Sequence, residues 1–361
     1  MVTRKKVVVG MSGGVDSSVA AALLVEQGYD VIGITLNVWP RLEGVADDGY
    51  RENGCCALGA VEDARRVAAK LGIPYYNLNF RDVFQDKVIK NFIQEYVRGR
   101  TPNPCVRCNQ FIKFDALLGK GLALGADYVA TGHYARIEQG EDGRWRLRKS
   151  ADARKDQSYV LYVMDQARLA RTLFPVGGLT KEETRAHARR LGLPVADKVE
   201  SQEICFVPYK SYSEFMERYV PEVVREGPIV DTSGKVLGTH KGIAFHTIGQ
   251  RRGLGISSPV PLYVVDLLPE ENTVVVGTQE DLLQQECVAE EVNWVSLEAP
   301  SAPLRVSAKI RYRAEPAEAT VYPGAGGRAR IVFDAPQRAI TPGQSIVFYD
   351  GEYVLGGGTI A

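Results

Sequence analysis

The chain has 361 residues, 45% of them hydrophobic and 24% charged. This is length for two to three domains of roughly 100–200 residues, and a composition that excludes collagen-like, wholly disordered and disulfide-knotted chains. Its 44 basic and 44 acidic residues cancel, so no global field draws in nucleic acid and any RNA contact must rest on local basic patches.

Residues 5–11 read as a buried strand, 15–27 as an apolar helix stopped by Gly28, and 29–37 as a second strand, which together make one βαβ unit. The pattern recurs. A helical segment closing in Leu71-Gly72-Ile73-Pro74 feeds a strand over 75–80, another closing in Leu124-Gly125-Ala126 feeds 127–131, and a third closes in Leu191-Gly192-Leu193-Pro194. Such alternation predicts an α/β domain with a parallel sheet covered on both faces. From about residue 226 short β-rich runs alternate with turn signals. The predicted division is an α/β domain over 1–210, a small central β-rich module over 211–283, and a C-terminal β-barrel or sandwich over 284–361. The longest apolar stretches, such as 19–25, fall far short of the roughly 20 residues a membrane helix needs, and no signal peptide is apparent, so we expect a cytoplasmic protein that avoids membranes.

Between the first strand and helix lies Gly10-Met11-Ser12-Gly13-Gly14-Val15-Asp16-Ser17-Ser18. Adjacent glycines let consecutive N–H groups face one anion, the serines add donors, and the helix N-terminus adds partial positive charge. It lacks the Lys-Ser/Thr ending of the Walker loop and the spacing of dinucleotide folds. Ligands of open parallel sheets bind beyond the carboxyl ends of the strands, which puts Leu36 and Gly132 in position to flank a ligand held by this loop. His133 follows directly, either as a satisfied strand-end histidine or as a residue near the bound ligand.

Six cysteines are too sparse for a disulfide scaffold. Cys105 and Cys108 sit in Gly99-Arg100-Thr101-Pro102-Asn103-Pro104-Cys105-Val106-Arg107-Cys108-Asn109, where the two prolines argue for a rigid loop. Cys205 is remote, in Ser201-Gln202-Glu203-Ile204-Cys205-Phe206. Three thiols could serve a sulfur relay or hold three irons of a [4Fe–4S] cluster; the set lacks the fourth ligand of a closed zinc site. Adjacent Cys55 and Cys56 read as structural or incidental, with a role in ordering their loop as the alternative, and Cys287 as a core residue. Residues 86–120 hold seven basic side chains against three acidic, and residues 301–340 repeat that balance.

The string Ser12-Gly13-Gly14-Val15-Asp16-Ser17-Ser18 resembles the pyrophosphatase loop (PP-loop) of enzymes that cleave ATP between the α- and β-phosphates. With the cysteine segments, and with Ala130-Thr131-Gly132-His133-Tyr134, Lys155-Asp156-Gln157, Gly177-Gly178-Leu179-Thr180-Lys181, His246-Thr247-Ile248-Gly249-Gln250, Arg311-Tyr312-Arg313 and Thr341-Pro342-Gly343-Gln344 in order, nearly the whole chain resembles the tRNA-specific 2-thiouridylase family.

The resemblance implies a Rossmann-like adenine nucleotide α-hydrolase domain. It also implies ATP with Mg²⁺ on Gly10, Met11, Ser12, Gly13, Gly14, Val15, Asp16 and Ser17, flanked by Leu36 and Gly132. The implied reaction adenylates the C2 oxygen of the wobble uridine of tRNA (Lys, Glu and Gln type) and replaces it with sulfur. A persulfide on Cys205 carries the sulfur, Cys108 resolves it, and a cysteine desulfurase or relay protein supplies it. Asn103, Pro104 and Cys105 would border the base, and His133, Lys155, Asp156, Gln157, Arg311, Tyr312 and Gln344 would face tRNA. Cys105 stands where many members carry an aspartate. A thiol with a pKa of about 8.5 is mostly protonated at neutral pH and is a weak general base beside a carboxylate; Cys105 stands with Cys108 and Cys205 as a catalytic candidate. A PP-loop ligase or amidotransferase acting on a small molecule is the competing reading, and a non-catalytic RNA module a third.

Overall fold

The computed structural model describes residues 4–38, 58–199, 204–207 and 212–361; Cys55 and Cys56 lie outside the described residues. Strands β1 (Lys6–Gly10), β2 (Asp30–Asn37), β3 (Tyr75–Asn79) and β4 (Tyr128–Ala130) precede a hairpin, β5 (Ala135–Gln139) and β6 (Trp145–Lys149), and the short β7 (Thr172–Leu173). Five of these form a parallel sheet in the order β3-β2-β1-β4-β7, with Val8 in register with Ile32 on one side and Val129 on the other. Val7, Val8 and Val9 are fully buried, as a central strand covered on both faces demands. The Val15–Glu26 helix buries Val15, Val19, Ala20, Ala21, Ala22 and Leu24. Its burial on nearly all sides makes it the core helix of this layer.

The central module is a four-stranded sheet of β8 (Gly227–Asp231), β9 (Val236–His240), β10 (Tyr263–Leu268) and β11 (Thr273–Gly277), ordered β10-β11-β8-β9 around Ile229, Val264, Val274 and Val276. Strands β12 (Leu283–Trp294), β13 (Leu304–Lys309), β14 (Ala317–Pro323), β15 (Ala329–Arg338), β16 (Ser345–Asp350) and β17 (Tyr353–Ile360) form a closed antiparallel barrel, because β12 pairs with both β15 and β17. Its interior is apolar, with Val306, Ile331, Phe333, Ile346 and Phe348 buried. Cys287 packs against this core, and burial pushes its thiol up to about 12.

One junction was not foreseen. The β5–β6 hairpin leaves the parallel sheet and pairs with Tyr353 and Val354 of β17, so the α/β layer and the barrel share a core containing Phe114, Leu147, Tyr159, Tyr162, Val347 and Tyr349. Among the described residues, no helix is long and apolar enough to cross a membrane.

Candidate active site

The glycine loop occupies the place its sequence predicts, at the carboxyl end of β1. Gly13 has φ +69°, and a Cβ there would lie 2.1 Å from the Ala60 carbonyl oxygen, so only glycine fits. Gly14 is the N-cap of the Val15–Glu26 helix and has no side chain to cap it, which leaves the first-turn N–H groups for an anion. Ser17 Oγ accepts from the Ser12 N–H at 3.1 Å, and Ser18 Oγ donates to the Gly14 carbonyl at 2.8 Å. Gly132 lies against the same turn: a Cβ there would come within 2.5 Å of the Ser17 nitrogen. Met11 is buried, its N–H donating to the Ile34 carbonyl at 2.8 Å, and Leu36 is half-buried at the end of β2.

Two lysines from distant segments reach this loop. Lys181, 6% exposed, donates to both carboxylate oxygens of Asp16 at 2.7 and 2.9 Å, and the Tyr134 hydroxyl donates to Asp16 at 2.8 Å. Lys198 donates to Asp63 at 2.6 Å and to the Gly13 carbonyl at 3.1 Å. Sequence reasoning gave neither lysine a role. The one local signal was Thr180 before Lys181: Thr180 and Glu183 form a capping box that starts the Lys181–Arg190 helix and aims its first residue at Asp16.

The expectation of a loop around Cys105 and Cys108 fails. Pro104–Cys108 is α-helical and continues through a π-helical stretch, Asn109–Ala116, into Leu117–Ala123. Pro104 is at the first helical position, where its missing N–H costs nothing, and the Asn103 side chain caps the turn by accepting from the Val106 N–H. Cys105 is exposed and Cys108 half-buried. The short described stretch 204–207 is held by Phe206, whose ring meets Phe84, Phe92 and Phe215 at 5.6, 5.2 and 5.7 Å. Cys108, Cys205 and Leu36 all pack against the core cluster that contains these rings, so the remote thiol, the cysteine helix and the carboxyl end of β2 share one core. Among the described residues no three His, Cys, Asp or Glu side chains are grouped to hold a metal.

The barrel clasps the segment before this helix. Gln344 donates to the Thr101 carbonyl at 2.8 Å and to that of Pro102 at 3.4 Å, and the Thr101 N–H donates to the Pro342 carbonyl at 2.8 Å. Arg100 bonds Glu290 and the Ile360 carbonyl, and Arg107 bonds Glu291. Arg311 ties the Ile248 carbonyl of the central module to the Ala339 carbonyl and the Thr341 hydroxyl. The Gln157 amide accepts from the Tyr134 N–H, and Asp156 accepts from Ser150 and Ser158. Tyr312, 41% exposed, donates to the Asp156 carbonyl, and Lys155 is half-buried in the same loop. His133 is buried between Phe114 and Phe174. Lys113 donates to its Nε2 at 3.2 Å, so Nδ1 carries the proton toward Thr131 at 2.7 Å; burial, with Lys113 beside it, holds its pKa well below the ordinary value.

Carboxylates from outside the two basic windows take up part of their excess: Arg100 pairs with Glu290, Arg107 with Glu291, and Arg330 with Glu286.

Three family models match in sequence order. A tRNA methyl transferase HUP domain matches residues 5–209, a tRNA methyl transferase PRC-barrel domain 213–278, and an aminomethyltransferase beta-barrel domain 284–360. The tRNA-specific 2-thiouridylase MnmA of Heliobacterium modesticaldum is 57% identical over 99% of this chain and 92% of its own. Those of Acetivibrio thermocellus (52%, covering 99% of each chain) and Symbiobacterium thermophilum (55%, covering 99% and 92%) are similar at comparable levels. Among solved structures, a 4-thiouridine synthetase–RNA complex with bound ATP aligns at 20% identity over 60% of this chain and 51% of that one, with a TM-score of 0.35, too loosely to support an argument.

Proposed function

Because the chain belongs to the tRNA-specific 2-thiouridylase family, we propose that it converts the wobble uridine of tRNA to 2-thiouridine at the expense of ATP. The triphosphate lies on Ser12, Gly13, Gly14 and the first turn of the Val15–Glu26 helix, with Leu36 and Gly132 beside the adenosine. Mg²⁺ bound to nucleotide takes most of its ligands from phosphates and water; Asp16 is the carboxylate within reach, and its charge would help to hold the ion there.

The uridine C2 oxygen attacks the α-phosphorus, the bond to the bridging oxygen breaks, and pyrophosphate leaves with the electron pair. The N3 proton departs at this stage and returns when the thione forms. The terminal sulfur of a Cys205 persulfide attacks C2 and AMP is expelled. The Cys108 thiolate then attacks Sγ of Cys205, leaving the sulfur on the base and a Cys108–Cys205 disulfide that a thiol reductant reopens. A cysteine desulfurase or relay protein reloads Cys205, in a cytoplasm that keeps thiols reduced.

Asn103, Pro104 and Cys105 border the splayed base, as single-stranded readout requires. His133 stays neutral behind them, while Lys155 and Tyr312 meet the tRNA on a surface shaped by Asp156, Gln157, Arg311 and Gln344. The central module lies toward the tRNA. The observation that carries this reading is the shared packing of Cys108, Cys205 and Leu36 on one cluster, because the two thiols must come within disulfide distance at an activated carbon. Methyl transfer, the wording of two domain descriptions, has no use for a loop that holds pyrophosphate. Mass spectrometry of nucleosides from tRNA incubated with ATP and a persulfide donor should show 2-thiouridine. ATP-dependent pyrophosphate release that ignores tRNA would instead favour a small-molecule ligase.

A further inference from the structure

We propose that Cys105 is a second resolving thiol: it attacks the Cys108 sulfur of the Cys108–Cys205 disulfide, frees Cys205 for reloading, and carries the oxidation to the surface as a Cys105–Cys108 disulfide. The inference deepens the reading above and rests on its relay between Cys108 and Cys205.

The first observation behind it is spacing. Cys105 and Cys108 stand three residues apart in the helix Pro104–Cys108. A rise of about 1.5 Å per residue and about 3.6 residues per turn put the Cα atoms of such a pair about 5 Å apart. A disulfide spans roughly 4.4–6.8 Å between Cα atoms, so the helix sets the pair at a separation that the bond accepts. The start of the helix is fixed in place. Pro104 occupies its first position, the Asn103 side chain accepts from the Val106 N–H, and Gln344 and Pro342 hold the backbone of Thr101 and Pro102.

The second observation is exposure. Cys105 is exposed, whereas Cys108 and Cys205 are half-buried against the core of Phe84, Phe92, Phe206 and Phe215. Thiol–disulfide exchange requires a thiolate to reach one sulfur of the bond, so access limits its rate. A reductant arriving from solvent meets that core, while Cys105 reaches Cys108 along their own helix. The disulfide that results has one sulfur at the surface. Attack on the Cys205 sulfur instead would free Cys108 and leave the sulfur carrier blocked. An aspartate at position 105 could take no part in this exchange, so the step belongs to a chain with a thiol there.

The Cys105 thiolate bonds to Sγ of Cys108, the Cys108–Cys205 bond breaks, and Cys205 leaves as a thiolate that takes up the proton Cys105 has lost. No electrons leave the protein in this step. A dithiol reductant then gives two electrons to the Cys105–Cys108 bond, becomes a disulfide itself, and restores both thiols.

The test is disulfide mapping of the full chain, oxidised without tRNA by one equivalent of diamide, quenched in acid and blocked with N-ethylmaleimide. Arg107 separates the two helix cysteines, so trypsin leaves Cys105, Cys108 and Cys205 on three peptides. The unaltered chain should carry mainly the Cys105–Cys108 pair with Cys205 alkylated, and Cys105→Ser should carry Cys108–Cys205. A protein dithiol such as thioredoxin should reduce the oxidised unaltered chain at least roughly tenfold faster than oxidised Cys105→Ser. Cys108–Cys205 as the main pair in the unaltered chain, no such pair in Cys105→Ser, or equal reduction rates would each overturn the proposal. If the pairing and the rates hold but tRNA gains no 2-thiouridine, only the thiolation reading fails. If 2-thiouridine forms and the unaltered chain is left with Cys108–Cys205, only the role of Cys105 fails.

Discussion

Gln344→Ala separates two roles that one residue could play, a contact with tRNA or a clasp on the cysteine helix. Its amide donates to the Thr101 carbonyl at 2.8 Å and more weakly to that of Pro102 at 3.4 Å. Losing one good neutral bond and leaving a half-buried carbonyl without that donor costs about 1–3 kcal/mol together. Arg100 and the Thr101–Pro342 backbone bond remain, so the loss is confined to this segment. Local opening should therefore rise by about 5- to 150-fold. Hydrogen exchange read on peptides covering residues 99–109 should accelerate by that range, and the rate of 2-thiouridine formation should fall with it. The affinity for tRNA, measured by filter binding, should change by less than about twofold. Unchanged exchange over 99–109 with a tenfold loss of tRNA affinity would refute the clasp and return Gln344 to the RNA interface.

Further outcomes follow from other parts of the molecule. Cys108→Ser and Cys205→Ser should each abolish 2-thiouridine formation while leaving tRNA binding nearly unchanged; full activity in either would remove that thiol from the relay. Gly13→Ala forces a Cβ to 2.1 Å from the Ala60 carbonyl oxygen in a left-handed backbone, so the variant should lose nucleotide binding in equilibrium dialysis. Cys287, with its thiol pushed up to about 12 by burial, should resist iodoacetamide at pH 8 in the native protein and react only once the chain is unfolded. Burial lowers the pKa of His133, His240 and His246, the last to about 4. An unfolded histidine titrates at about 6.5, so the unfolded chain takes up protons first and stability should decline as pH drops from about 6.5 toward 4. Melting temperatures across that interval should fall less steeply in His246→Asn than in the unaltered chain.

What the sequence made legible was local. The Val7-Val8-Val9 run reads as a strand covered on both faces, and adjacent glycines before a helix read as a tight turn; both stand where their chemistry puts them. The cysteine segment misled because two prolines were weighed as helix breakers, although the second, after Asn103, is the ordinary opening of a helix. Lys181 was hidden for a different reason. Its partner Asp16 lies 165 positions away, and nothing in the residues around a lysine says which distant carboxylate the fold will bring to it. The β5–β6 hairpin was hidden in the same way, since a two-stranded ribbon does not announce which sheet edge it will join.

The helical run from Pro104 to Ala123 explains why a thiolation chemistry would come with a barrel attached. One side of the run, Cys108, Phe111 and Ile112, faces the aromatic cluster that also holds Cys205. Val106 and Phe114 face the core shared with Val347, Tyr349 and Val354 of the barrel. The π-helical turn between them adds a residue to the ladder and so turns the side chains beyond Cys108 relative to those before it, which allows one rod to serve both cores. Asn109, at the start of that turn, donates to the Val160 carbonyl at 2.9 Å and fixes its rotation. A thiolate that must reach the sulfur of Cys205 while that residue is joined to the base gains most from a support that does not flex. Here that support is a closed barrel with no free edge, gripping the rod from the side opposite the chemistry.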